Sequence, residues 1–133
     1  MSDSIKISIT LPVEPQELYE AWLSSETHSA FTKSNVKIEK KVGSFFSIND
    51  SDITGKNDLL HLNKRILQSW RSKDFKEDDS DSILEIIFNK VEGGTRMVIN
   101  HSNLPDNTKD IFKKSWRENY LKPMKDYFSS NIH

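Results

Sequence analysis

The chain has 133 residues, of which 35% are hydrophobic and 29% charged, with 19 basic and 20 acidic side chains and a formal net charge of −1. That length suits one ordinary domain with a real core, residues 1–133 throughout, and the composition leaves little room for a second core. A near-neutral balance with both signs scattered gives no electrostatic footprint for nucleic acid or an anionic membrane, and the lack of cysteine excludes a disulfide framework, thiol catalysis and cysteine-bound zinc.

The N-terminus, Met1-Ser2-Asp3-Ser4-Ile5-Lys6, lacks a basic region followed by an unbroken apolar stretch, so no secretory signal is expected. No run approaches the roughly 20 apolar residues that span a bilayer. No membrane insertion and a cytoplasmic location are therefore expected.

Ile5, Ile7, Ile9 and Leu11 alternate with Lys6, Ser8 and Thr10, the period of a strand with one buried face. Pro12 ends it. Pro15 suits a first helical turn, and Glu14, Gln16 and Glu17 put acid near the positive end of the dipole. Leu18, Ala21 and Trp22 then recur at helical spacing, predicting a short helix over 15–23. Ser24 and Ser25 are cap candidates for a second short helix ending near Phe31.

From Val36 to His101 the pattern is strand-like. Val36 and Ile38 alternate with lysines, and Phe45, Phe46 and Ile48 form the next strand. Asn49-Asp50-Ser51-Asp52 is a turn cluster. Residues 53–62 and 65–71 predict a hairpin around Asn63-Lys64. Residues 72–82 are polar and predict an exposed loop. Leu84, Ile86 and Phe88 mark another strand, and Glu92-Gly93-Gly94 turns into the last, Arg96 to His101. Asn57 and Asp58 break the pattern where at least one apolar residue is expected.

After Leu104-Pro105, Asp106 or Asn107 is the expected cap of a final helix over 107–129, with Asp110 in its first turn. Ile111, Phe112, Trp116, Tyr120, Leu121, Met124, Tyr127 and Phe128 form its apolar stripe. Pro123 removes a backbone bond and predicts a bend. The order is strand, two short helices, about six strands, one long helix. Short turns between successive strands imply an antiparallel sheet whose apolar face must be covered, and only the terminal helix is long enough. The expected class is α+β, helix-grip: a curved antiparallel sheet wrapped around a long C-terminal helix.

The chain resembles the activator of heat-shock protein 90 ATPase homologue family, within the START-like (SRPBCC) superfamily. The resemblance is carried by Pro15-Gln16-Glu17-Leu18-Tyr19 with Ala30-Phe31-Thr32, then Ile53-Thr54-Gly55 and Ile66-Leu67-Gln68-Ser69-Trp70-Arg71. It continues through Leu84-Glu85-Ile86-Ile87-Phe88, Gly93-Gly94-Thr95-Arg96-Met97, Asn100-His101-Ser102-Asn103-Leu104-Pro105 and Trp116-Arg117-Glu118-Asn119-Tyr120. It implies two different jobs. Many START-like domains hold a small apolar molecule between sheet and helix, whereas the co-chaperone contacts a heat-shock protein 90 homologue and promotes ATP hydrolysis. The full-length activator has a separate N-terminal chaperone-binding domain and none precedes Ile5 here, so the resemblance favours the small-ligand expectation. A START-like cyclase or hydratase is a third expectation.

The residues offer candidates for the first job. Trp22, Phe31, Phe46, Trp70, Phe88, Trp116 and Tyr120, with Met97, Ile99 and Met124, either line a cavity or simply fill the core, the commoner outcome. His101 closes the last strand on the face of Met97 and Ile99 and either reaches a cavity mouth or is a satisfied strand-end residue. His28, His61, His101 and His133 show no metal-ligand spacing, so no metal is expected. No cofactor is expected either, for no glycine-rich phosphate loop or nucleophile elbow occurs. Glu85 is placed on the outer face. Arg71 and Arg96 either bind an acidic head group or make surface ion pairs. The acidic loop around Glu77-Asp78-Asp79 lacks calcium-loop spacing.

Overall fold

The computed structural model describes residues 2–130. Its elements in chain order are β1 (Asp3–Leu11), α1 (Pro15–Trp22), α2 (Ser25–Thr32), β2 (Val36–Lys37), β3 (Phe45–Ile48), β4 (Ile53–His61), β5 (Arg65–Ser72), β6 (Ser82–Val91) and β7 (Gly94–Leu104). A terminal helix follows as α3 (Lys109–Trp116), a π-helical turn (Arg117–Leu121) and α4 (Lys122–Ser130). The seven strands form one antiparallel sheet, ordered β1-β7-β6-β5-β4-β3-β2. This is the expected helix-grip architecture.

Antiparallel partners point to the same side of a sheet, so register sorts the side chains. Leu84 faces His101, which faces Ile5; Ile86 faces Ile99, which faces Ile7; Phe88 faces Met97, which faces Ile9. These rungs are the inner face, and the terminal helix covers them with Trp116, Tyr120, Met124 and Phe128, all buried. Trp70 also points inward, opposite Ser82. The outer rungs carry Lys6, Asn100, Glu85 and Leu67 in one row and Ser8, Val98, Ile87 and Arg65 in the next.

Local chemistry fixes several boundaries. Pro15 opens α1 as expected, and Ser24 Oγ caps α2 by accepting from the Thr27 N–H at 3.2 Å. The terminal helix departs from expectation at its start. Asn107 adopts left-handed backbone, φ 64°, so neither it nor Asp106 caps the helix, which begins at Lys109. The cap comes from the far end of the chain: Asp3 Oδ2 accepts from the N–H groups of Thr108 and Lys109 at 3.0 and 3.1 Å. Ile111 falls outside the buried stripe, 67% exposed.

Pro123 acts one turn upstream of itself. It has no N–H to donate, and its ring would collide with the carbonyl four residues back. The helix widens into a π turn just before it, with the Lys122 N–H bonding to the Arg117 carbonyl.

Gly55 is required by packing. A Cβ there would lie 2.0 Å from the Ser69 carbonyl and 2.5 Å from the Phe46 ring, so the close stacking of Phe46 on β4 depends on the missing side chain.

Candidate functional site

Beneath the terminal helix the space is occupied by the protein's own rings. Trp116 lies 4.8 Å from Tyr120, 5.4 Å from Trp70 and 6.1 Å from Trp22, centroid to centroid. Phe31 packs 6.4 Å from Trp22, and Phe46 lies 5.9 Å from Trp70. Rings in such contact fill a core at interior density. Phe88, Met97, Ile99 and Met124 are buried beside them.

The polar groups inside this cluster are spent on one another. The Trp116 Nε1–H donates to His101 Nδ1 at 3.0 Å. An accepting Nδ1 leaves the proton of neutral imidazole on Nε2, which donates to Ser82 Oγ at 2.8 Å. Ser82 in turn donates to the Trp70 carbonyl at 2.7 Å. Burial holds His101 down to about 3. With both nitrogens engaged, His101 has no free position from which to exchange a proton with a bound molecule. It is a satisfied core residue, and β7 runs on past it to Leu104 where the sequence predicted the strand to end.

His28 makes the mirror-image arrangement. Its Nδ1–H donates to the Trp22 carbonyl at 2.8 Å, so Nε2 accepts from the Tyr120 hydroxyl at 3.0 Å. Burial lowers its pKa to about 4 and raises that of Tyr120. A third chain runs from the Trp22 Nε1–H to Gln68 Oε1 at 3.2 Å, then from Gln68 Nε2 to Asn57 Oδ1 at 2.8 Å. Asn57 Nδ2 closes it on the carbonyls of Glu39 and Lys41. Asn57 therefore sits where an apolar residue was expected because it ties the 39–41 loop to the sheet, beside the bulge between Asn57 and Leu59.

The indole of Trp70 differs. Among the described residues its N–H has no hydrogen-bond partner, while the one enclosed side-chain polar atom lacking a partner is Asn63 Oδ1. The Trp70 N–H is thus not sealed in the core. Trp70 lines a cleft of about 450 Å³ at the end of the grip, with Trp116, Tyr120, Phe112, Ile48 and Ile53 as its apolar wall. Its rim carries Lys33, Asn49, Asp52 and Lys73, with Asp52 and Lys73 ion-paired at 3.3 Å. Lys33 holds left-handed backbone, φ 57°, at the end of α2.

The candidates from sequence are therefore divided. Trp70, Trp116 and Tyr120 reach the cleft, and Phe31 reaches a second groove of about 430 Å³ beside Pro123 and Tyr127. Trp22, Phe46, Phe88, Met97, Ile99, His101 and Met124 line neither. Arg71 and Arg96 do not converge: Arg71 holds Asp81 and the carbonyls of Lys76 and Asp79, while Arg96 reaches Ser8. Glu85 lies on the outer face but half-buried; burial raises its pKa, and the stronger combined pull of Arg65 and Asn100 leaves it lowered. Among the described residues no His, Asp or Glu cluster has metal-site geometry and no helix is long and apolar enough to cross a membrane. His133 lies outside the described residues.

Sequence reasoning missed His28, Asn57, Gln68, Ser82 and Thr95, all wholly buried. Two were legible. Gln68 stands between Ile66 and Trp70 at period two, and Ser82 stands two residues before Leu84, so both belong to the inner face. Ser82 is no part of the exposed loop.

A seven-stranded sheet gripping one terminal helix, with a filled interior and an open end cleft, defines a START-like helix-grip domain. Comparison with known proteins narrows the class. Residues 12–129 match the family model "Activator of Hsp90 ATPase homolog 1-like protein". The chain belongs to that family. It is 26% identical over 124 residues to the mouse activator of 90 kDa heat shock protein ATPase homolog 1, covering 93% of this chain and 36% of that protein. The Dictyostelium discoideum homologue is 26% identical over 128 residues, covering 95% of this chain and 33% of that protein. The chain thus spans about a third of the length of these relatives. Among solved structures, an HSP90 activator from Plasmodium falciparum superposes with a TM-score of 0.87 at 24% identity, covering 95% and 96% of the two chains.

Proposed function

We propose that this domain is a non-catalytic co-chaperone module that binds a heat-shock protein 90 homologue and raises its ATPase rate. The observation that carries this reading is the family match over residues 12–129. It is supported by the near-complete mutual overlap with the solved chain of the Plasmodium activator. The filled interior agrees with it, since a domain that works through its surface needs no chamber between sheet and helix. The test is direct. The purified protein, added to the heat-shock protein 90 homologue of the same organism, is expected to raise ATP turnover in a saturable way and to bind in calorimetry. Unchanged turnover with no measurable binding would remove the proposal.

A second reading rests on the cleft. Its volume falls in the range of small-molecule sites. The Trp70 N–H beside the rings of Phe112, Trp116 and Tyr120 offers one donor in an apolar wall, suited to a small apolar molecule carrying a single acceptor. Native mass spectrometry of the purified protein, before and after denaturing extraction, is expected to show a reproducible bound mass that extraction removes. A Trp70→Phe variant keeps the wall and loses the donor, so undiminished retention of that mass would count against the N–H contact.

A further inference from the structure

The outer face of the sheet is uncovered, and its exposed apolar groups are not scattered. Among the described residues six large apolar side chains are exposed, and four belong to one corner: Val42 at 57%, Phe45 at 79%, Leu59 at 36% and Leu62 at 62%. Phe45 pairs with Lys56 and Leu59 with Leu67, placing both on the outer face, while Val42 and Leu62 lie in the adjoining loop and turn. A fifth, Ile83, lies on the same face through its partner Ser69, which pairs with Lys56. Single exposed apolar groups mean nothing, but a clustered set marks a contact surface.

The charge of this face is one-sided although the chain carries only −1. Its acids are engaged, Glu85 by Arg65 and Asn100, and Asp58 by Lys56. Lys6, Lys37 and Arg96 on the face, with Lys41 and Lys64 beside the corner, make no ion pair among the described residues. The neighbouring acid without an ion pair among those residues is Glu39. A second copy seated symmetrically on this corner would set these cations against their own images. With a chain net charge of −1, these scattered cations give an anionic lipid surface little long-range attraction, whereas a fixed protein surface can match each of them with a partner.

The geometry points to this corner as a docking surface for an acidic protein surface with an apolar centre, presented by the chaperone partner. The inference rests on the co-chaperone reading and locates its contact on the outer sheet face, away from the end cleft. Phe45 and Leu62 are the apolar anchors, and Lys41 and Lys64 are the steering cations.

Calorimetric titration of the whole protein against the heat-shock protein 90 homologue tests it. A Phe45→Thr/Leu62→Ser double variant is expected to bind about ten-fold more weakly or worse with an unchanged melting temperature, because neither side chain is in the core. Lys41→Glu/Lys64→Glu is expected to weaken binding and to flatten its dependence on salt. Ile111→Ser, exposed on the terminal helix, is the control and is expected to bind as the parent does. If the parent binds and the double variant binds equally well, the docking surface is wrong and the co-chaperone reading stands. If the parent does not bind at all, both fall. Self-association in sedimentation that the double variant abolishes would assign the corner to a second copy. Binding to phosphatidylserine vesicles lost in the same variant would assign it to a membrane. Either result overturns the proposal.

Discussion

The two faces of the sheet obey different rules. On the inner face the polar groups of the aromatic cluster are tied to one another: Trp116 to His101, His101 to Ser82, Trp22 to Gln68, Gln68 to Asn57. On the outer face one hydrophobic corner and several cations are left unspent. A buried polar group without a partner costs stability, so the inner face can tolerate few changes. The outer face carries groups that folding does not need, and those are the groups available for recognition. The exception inside is Trp70, whose ring lines the cleft.

The sharpest way to break this contrast is to cut the inner face at its most connected ring. Trp116 touches Trp22, Trp70 and Tyr120 and holds His101 Nδ1. Trp116→Ala is expected to cost about 3–5 kcal/mol, measured by denaturant unfolding, with the orphaned imidazole adding to the loss of packing. A cost below about 1.5 kcal/mol would show that the interior is not a filled core.

Next in size is a pH effect. The folded state keeps His28 near 4 and His101 near 3, both below the ordinary 6.5. Below 6.5 the unfolded chain takes up protons that the folded chain refuses. Stability is therefore fully present above that value and is lost as pH falls toward the folded values. Glu85, lowered from an ordinary 4.5, adds its own loss toward the acid end, so the upper part of the window belongs to the histidines. The melting temperature is expected to fall steadily across it. His28→Gln, which removes one titrating ring, is expected to reduce that slope, and an unchanged slope would mean that His28 is not buried neutral.

Asn57 gives a smaller, more local effect. Asn57→Leu orphans the Gln68 amide and frees the carbonyls of Glu39 and Lys41. The expected cost is about 1–3 kcal/mol, with faster amide hydrogen exchange in the 39–44 loop. Unaltered exchange there would show that the loop is held by something other than Asn57.

How much of this was legible depended on phase. Where period two ran unbroken, as in Ile5 to Leu11 or Leu84 to Phe88, strand and face followed from the residues alone. The bulge after Asn57 reset the phase, so the single, wholly buried asparagine of β4 looked like a local defect. Asp3 capping α3 was invisible because the cap and the helix are separated by more than a hundred residues. The aromatic set was legible as a set. Its division into core and cleft wall was not, because that depends on which rings the terminal helix leaves at its end. Phe45 was counted with Phe46 as one strand signal, and only the register shows which of the two faces the core.

That pair supplies the smallest expected effect and the most direct check on the contrast between faces. Phe46 is buried against Trp70 and over Gly55, whereas its neighbour Phe45 is 79% exposed opposite Lys56. Phe45→Thr replaces an aromatic strand former with a β-branched one and removes no packed ring, so stability is expected to change by no more than about 0.5 kcal/mol. Because it deletes exposed apolar surface, it is also expected to raise solubility. A loss of several kcal/mol in denaturant unfolding would mean that Phe45 is packed in solution against part of the chain or a second molecule. The outer face would then be tied up in folding or assembly just like the inner one, and the reason for assigning recognition to it would be gone.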